Sequence, residues 1–111
     1  MNIKHSLAIS SIVLVFGSPV SRVMAADAEA GKALYTKNCA GCHGADGKGN
    51  PAMAKALGEK GLNLTTKEAT QKSDEELLKV IAEGAGKMPA QKSFSKDEQK
   101  QALAYVRSLA K

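Results

Sequence analysis

Three residues able to bind a metal or a cofactor lie within five positions of this 111-residue chain. Cys39 and Cys42 are its two cysteines, and His43 follows directly. On a helical turn, side chains three and four positions apart share one face, so all three can point at one object. These residue types could form a redox dithiol, part of a zinc site, a disulfide or a covalent anchor for a cofactor.

The surrounding sequence favours the covalent anchor. A thioredoxin-like dithiol needs a strand before the motif and a helix that starts at the first cysteine, whereas here a predicted helix precedes it. A structural zinc ion takes four protein ligands, and no Cys or His follows His43. A disulfide between residues three apart closes too small a loop to add much stability. Cys-x-x-Cys-His is the attachment pattern of c-type haem, so we predict one haem c on Cys39 and Cys42, with His43 as an axial iron ligand.

The second axial ligand is predicted to be a methionine. His5 lies in a predicted leader, which leaves Met53 and Met88. Met53 is only ten residues from His43, and we interpret it as a gap-filling side chain of a short helix. Met88 lies in "EGAGKMPA", where Pro89 disfavours helix and two glycines let the chain bend. A thioether opposite an imidazole is a known haem pair, which favours Met88; an iron left open on that side is the alternative.

Residues 1–25 have the pattern of a secretory signal peptide. A lysine near the start is followed by Leu7–Phe16, a run of ten largely apolar residues. Small residues then predict cleavage after Ala25, or after Ala26. A membrane-spanning helix needs about 20 apolar residues, so retention as an anchor is disfavoured. We expect residues 26–111 to form one domain in the periplasm, without stable membrane insertion.

The composition of the predicted exported domain argues for a missing apolar group and against a nucleic-acid surface. The chain has 16 basic and 11 acidic side chains; loss of Lys4 and Arg22 leaves 14 and 11, a net charge of about +3. The lysines are interleaved with acids, which is not typical of nucleic-acid binding. The domain retains three aromatic side chains and no tryptophan. A domain this small usually needs an additional stabilising group in its core.

Periodicity and capping signals predict an all-α fold of three to five helices. The first helix is expected to begin at Asp27 and to run without a breaker to Gly41, so that its end carries the cysteines. A short helix is predicted around residues 52–57. No alternation of period two persists, so no strand is predicted.

Two capping boxes mark the later helices. Ser73 and Glu76 precede an apolar face on a helix that stops at Gly84. Ser95 and Glu98 begin the last helix, whose apolar residues recur at helical spacing: Ala102, Leu103, Val106 and Leu109.

The segments "CAGCHGADGKGNP" and "GKMPA", together with the terminal helix, resemble the small soluble monohaem class I c-type cytochromes of bacteria. The resemblance covers nearly all of residues 27–110. It implies an all-helical cytochrome c fold around one covalently attached haem, in which the first and last helices cross near a right angle.

The resemblance also implies specific contacts. At the crossing, Gly31 with Leu34 or Tyr35 is expected to meet Tyr105, because a glycine lets two backbones approach. In this family a proline carbonyl after the motif often orients the haem-binding histidine. Pro51 is the candidate here, and its alternative role is to start a helix.

The predicted site implies outer-sphere electron transfer, because two strong axial ligands leave no vacant position on the iron. We therefore expect a monomeric periplasmic electron carrier, not an enzyme, that works with redox partner proteins. Lys37, Lys87 and Lys92 are expected near the haem edge, where they could steer an acidic partner. Two alternatives stay open. One is a haem-based sensor or a ligand-binding or peroxidase-like protein with an open or displaceable distal site, and the other is a structural haem subunit of a larger oxidase or dehydrogenase.

Overall fold

The computed structural model of the protein describes residues 19–110, so most of the predicted leader, residues 1–18, lies outside the described residues. Within this range the chain forms six α-helices and no strand. The helices are α1 Pro19–Asn38, α2 Ala40–His43, α3 Pro51–Leu57, α4 Lys67–Gln71, α5 Asp74–Glu83 and α6 Lys96–Leu109. The predicted all-α fold class is confirmed, with one helix more than the highest number expected. Between residues 19 and 110, no helix combines the length and the apolar content needed to cross a membrane.

Two helices account for the difference in number. The first predicted helix was expected to start at Asp27 and to continue into the cysteines, but α1 contains Asp27 and ends at Asn38. Cys39 then forms a turn, and α2 is a separate helix of four residues. The second difference is α4, which was not predicted. Thr66 caps it by accepting a hydrogen bond from the Ala69 N–H at 3.1 Å.

Serine caps begin α5 and α6, as predicted. At α6 both halves of the capping box are present: the Ser95 hydroxyl accepts from the Glu98 N–H at 3.1 Å, and the Glu98 carboxylate accepts from the Ser95 N–H at 3.0 Å. At α5 the Ser73 hydroxyl accepts from the Glu76 N–H at 3.2 Å, which is half of the predicted box. These contacts satisfy N–H groups that a helix start leaves without an intrahelical partner.

The packing of α1 against α6 forms the base of the fold. Gly31 is buried there, and a Cβ atom at this position would overlap the backbone carbonyl of Gln101. Close to this contact the rings of Tyr35 and Tyr105 pack with centroids 5.1 Å apart and a tilt of 56°, an arrangement that aromatic pairs favour. The contact predicted for Gly31 and Tyr35 with the last helix is therefore present.

The hydrophobic core joins α6 to α5. Its buried members are Ile81, Phe94, Ala102 and Leu103, and the partly buried side chains Leu34, Leu77 and Leu78 pack against it. The packing of α1, α5 and α6 thus forms the main structural unit, and residues 39–66 and the segment after α5 connect these helices.

Arg107 of α6 fixes the connection between α4 and α5. Its guanidinium donates to the carbonyl oxygens of Thr70 at 3.0 Å and Lys72 at 2.7 Å. The same group pairs with the Asp74 carboxylate at 2.8 Å. These hydrogen bonds hold the end of α4 in place, which explains how a helix of five residues can be stable.

Candidate functional site

The two cysteines lie at the turn between α1 and α2. The Cys39 N–H still donates to the Tyr35 carbonyl at 2.8 Å, and the His43 N–H donates to the Cys39 carbonyl at 3.0 Å. Both thiols are free and half-buried. Burial raises the pKa of the Cys39 thiol, and the neighbouring Cys42 adds to the effect. The cysteines are thus not joined to each other and can both bond to a third group.

His43 is buried, with 8% of its surface exposed, and its ring is held by a backbone group. Nδ1 lies 2.8 Å from the carbonyl oxygen of Leu62. Because a carbonyl can only accept, Nδ1 carries the proton and donates. The lone pair is therefore on Nε2, the arrangement expected of a histidine that binds a metal.

Pro51 does not orient His43. It is the first residue of α3, directly after the N-cap Asn50, so its carbonyl is directed along that helix. The expectation that its carbonyl faces the histidine is wrong, and the alternative role as a helix start is correct. Leu62, nineteen residues after His43, supplies the carbonyl instead.

Met88 lies in a tight loop after α5. Its carbonyl accepts from the Ala85 N–H at 3.1 Å, and its own N–H donates to the Ala85 carbonyl at 2.8 Å. Gly84 has φ +79°, and a Cβ atom there would lie 2.5 Å from the Met88 carbonyl oxygen. The loop therefore depends on glycine both for its backbone conformation and for space.

One cavity of about 700 Å³ brings the predicted site residues together. Cys39, Cys42, His43 and Met88 all line it, whereas Met53 is not among its lining residues. Much of the remaining wall is apolar, and includes Leu57, Leu62, Leu64, Val80, Ile81 and Leu103.

One of the three lysines expected near the haem edge lines this cavity. It is Lys87, whose ammonium donates to the last carbonyl of α3 at 3.3 Å. Lys37 and Lys92 are exposed and are not among the lining residues, whereas Lys60 and Lys72 are. The steering of a partner by Lys37, Lys87 and Lys92 stays a prediction.

A model of the family described as cytochrome c oxidase, cbb3-type, subunit III matches residues 26–106. The chain belongs to this cytochrome c family. Haem c is the cofactor of such domains, and their function is electron transfer. The predicted class and cofactor are thereby confirmed.

Relatives of this cytochrome include both an oxidase subunit and a small cytochrome. It is 40% identical over 86 residues to the Cbb3-type cytochrome c oxidase subunit FixP of Bradyrhizobium diazoefficiens, which covers 75% of the chain and 28% of FixP. It is 42% identical over 66 residues to FixP of Bradyrhizobium sp. (strain ORS 278), covering 58% of the chain and 21% of that protein. It is 37% identical over 79 residues to cytochrome c6 of Leptolyngbya boryana, covering 71% of the chain and 87% of that protein. The chain thus spans about a quarter of the length of the FixP relatives.

The residues around the cavity fit a haem. Two free thiols three positions apart suit two thioether bonds, an imidazole nitrogen and a thioether are both iron donors, and the walls suit an apolar macrocycle. Zinc fits less well, because within residues 19–110 no three His, Cys, Asp or Glu side chains are grouped to hold a metal ion.

Two groups that hydrogen-bond to the motif were not predicted from the sequence: the Leu62 carbonyl, which contacts His43, and the Asn50 amide, which contacts Gly41. No sequence signal identifies the Leu62 carbonyl, because every residue has a carbonyl. Asn50 has a weak sequence signal, because an asparagine directly before a proline that starts a helix is a typical N-cap pattern.

Proposed function

We propose that this cytochrome shuttles single electrons between redox partner proteins in the periplasm, with haem c attached to Cys39 and Cys42 and with His43 and Met88 on its iron. When bound, the haem supplies a one-electron couple between ferric and ferrous iron. The supporting observation is that Met88, from the loop after α5, lines the same largely apolar cavity as Cys39, Cys42 and His43.

The surrounding protein would hold both donors in place as the electron arrives and leaves. The Leu62 carbonyl fixes the ring orientation of His43 and makes Nε2 a stronger donor. On the other side, the hydrogen bonds between Ala85 and Met88 fix the methionine loop. A donor on each face would leave no position for a substrate, so we propose a carrier that is not itself an enzyme.

We propose that residues 1–25 direct export and are removed. Haem attachment through two thioether bonds then takes place on the exported chain. The mildly positive charge of the remaining domain supports protein partners with acidic surfaces rather than nucleic acid, and we propose a monomer.

Replacement of Met88 tests the ligand set, with Met53 as the matched control. In Met88→Ala, the absorption band of methionine bound to ferric iron should disappear, and carbon monoxide should bind readily to the reduced protein. Met53→Ala should keep the band and exclude carbon monoxide, because Met53 is not among the residues that line the cavity. A wild type that lacks the band and binds carbon monoxide would instead support a sensor or ligand-binding protein.

A second candidate is a haem-carrying part of a larger oxidase. The family match and the similarity to the FixP subunits favour it. Native purification from the source cells distinguishes the two: a carrier elutes alone, whereas an oxidase component elutes with other subunits.

A further inference from the structure

The side-chain amide of Asn50 connects α2, which carries Cys42 and His43, to the start of α3. The Asn50 Nδ2 group donates to the Gly41 carbonyl at 2.9 Å, and Oδ1 accepts from the Ala52 N–H at 3.0 Å. Helices as short as α2 and α3, with four and seven residues, are not stable alone. Their relative position therefore depends on contacts between their ends.

The same segment satisfies the carbonyls at the end of α2. Carbonyls in the last turn of a helix have no intrahelical donor. The Asn50 N–H donates to the Cys42 carbonyl at 2.9 Å, and the Gly49 N–H donates to the His43 carbonyl at 2.7 Å. With the side-chain bond to Gly41, three consecutive carbonyls of the motif are held by two adjacent residues.

We propose that Asn50 is a positioning residue that sets the orientation of α2, and through it the direction in which His43 faces the iron. The inference deepens the proposed function, because it requires His43 to bind the iron. Asparagine suits the role because its short side chain carries a donor and an acceptor on one rigid group. Serine keeps the helix-capping acceptor but has no amide donor at that reach, and alanine loses both.

Three variants of the holoprotein separate bridging from capping. Asn50→Ser removes the bridge to Gly41, and Asn50→Ala removes bridge and cap. The control is Thr36→Ala, which removes a 2.8 Å bond from the Thr36 hydroxyl to the Lys32 carbonyl within α1, at a residue that is not among those lining the cavity. The measurements are amide hydrogen exchange at positions 49 and 50 and the reduction potential.

Asn50→Ser should raise amide exchange at positions 49 and 50 by about fivefold, the factor that corresponds to one ordinary hydrogen bond. It should also shift the reduction potential, and Thr36→Ala should change neither quantity. If Asn50→Ser forms no haemoprotein while Thr36→Ala does, that difference in covalent haem yield supports the same role.

The proposal would be overturned if Asn50→Ser had the same amide exchange and the same reduction potential as the wild type. If only Asn50→Ala changed these quantities, Asn50 would act as a helix cap alone, which would also overturn the proposal. Equal changes in Thr36→Ala would also overturn it. The exchange of these amides does not depend on methionine ligation. Failure of the proposed function, seen as a missing methionine band in the wild type, is therefore distinguishable from failure of this inference.

Discussion

Tyr35 links the first helix to the backbone that follows His43. Its ring is 1% exposed, and its hydroxyl donates to the Gly44 carbonyl at 2.6 Å. Burial is the main cause that raises the pKa of this phenol to about 12, and the nearby Cys39 is the next. The burial contribution remains when Cys39 is bonded to haem and carries no charge.

The raised pKa of Tyr35 predicts a loss of stability in alkali. The folded protein retains the phenol proton above pH 10, where the unfolded chain releases it, so the stabilisation is complete below pH 10 and is lost between about pH 10 and 12. The loss attributable to this group is on the order of 2 kcal/mol. Urea unfolding at pH 8 and at pH 11 should show a smaller decrease for Tyr35→Phe than for the wild type. Equal decreases would contradict the assignment.

Gly84 should be the most sensitive glycine of the methionine loop. Gly84→Ala places a Cβ atom against the Met88 carbonyl oxygen, and against the Ala90 nitrogen at 2.9 Å. Gly58→Ala is a matched control for backbone strain, because Gly58 has a similar φ of +90° with an extended ψ and no protein atom within 4 Å of its Cβ position. The control should lose about 2 kcal/mol, because this backbone conformation is almost restricted to glycine. Gly84→Ala should lose about 2 kcal/mol more through overlap with backbone atoms, and should weaken the methionine–iron band. Equal effects on unfolding and on the band would show that space at Gly84 is unimportant.

At the scale of elements, the contact between α1 and α6 depends on Gly31. Gly31→Ala would force a methyl group into the Gln101 carbonyl, and two backbones cannot separate without loss of the packing around Tyr35. We expect a cost of about 3 kcal/mol in the free energy of unfolding. Gly41→Ala, on α2 with nothing within 4 Å of its Cβ position, should be neutral or slightly stabilising. Thermal unfolding of both variants provides the measurement, and an unaffected Gly31→Ala would contradict the close approach.

The elements that could be predicted from sequence are those with local signals. The starts of α5 and α6 follow from serine caps and apolar repeats, which act within a few residues. The end of α1 before Cys39 had no such signal, and α4 had only the Thr66 cap at its start. The end of α4 is held by Arg107, which is more than thirty residues distant in sequence. Long-range contacts of this kind leave no periodic pattern.

The same distinction holds for the site. Cys39, Cys42 and His43 were singled out by their types and fixed spacing, and Met88 by a loop broken by glycine and proline. The structure places all four at one cavity, and their bonds to a haem stay a prediction. The Leu62 carbonyl and the Asn50 bridge were not predictable, because a backbone group has no side-chain signature and the path of residues 44–66 is decided by packing.

For the whole molecule, the cavity implies that the haem is part of the core. Without haem, the apolar side chains that line this cavity of about 700 Å³ would face water and lose the burial that stabilises a core. A domain of this size has only about 5–15 kcal/mol of stability in total. The chain without haem should therefore be poorly folded.

Covalent haem attachment is tested most directly by intact mass combined with a visible spectrum, on the protein exported from a host that attaches c-type haem. We expect the mass of residues 26–111 or 27–111 plus one haem that persists after denaturation, and a c-type spectrum. Cys39→Ser with Cys42→Ser should retain no covalent haem. A wild-type mass equal to that of the bare polypeptide would contradict the claim.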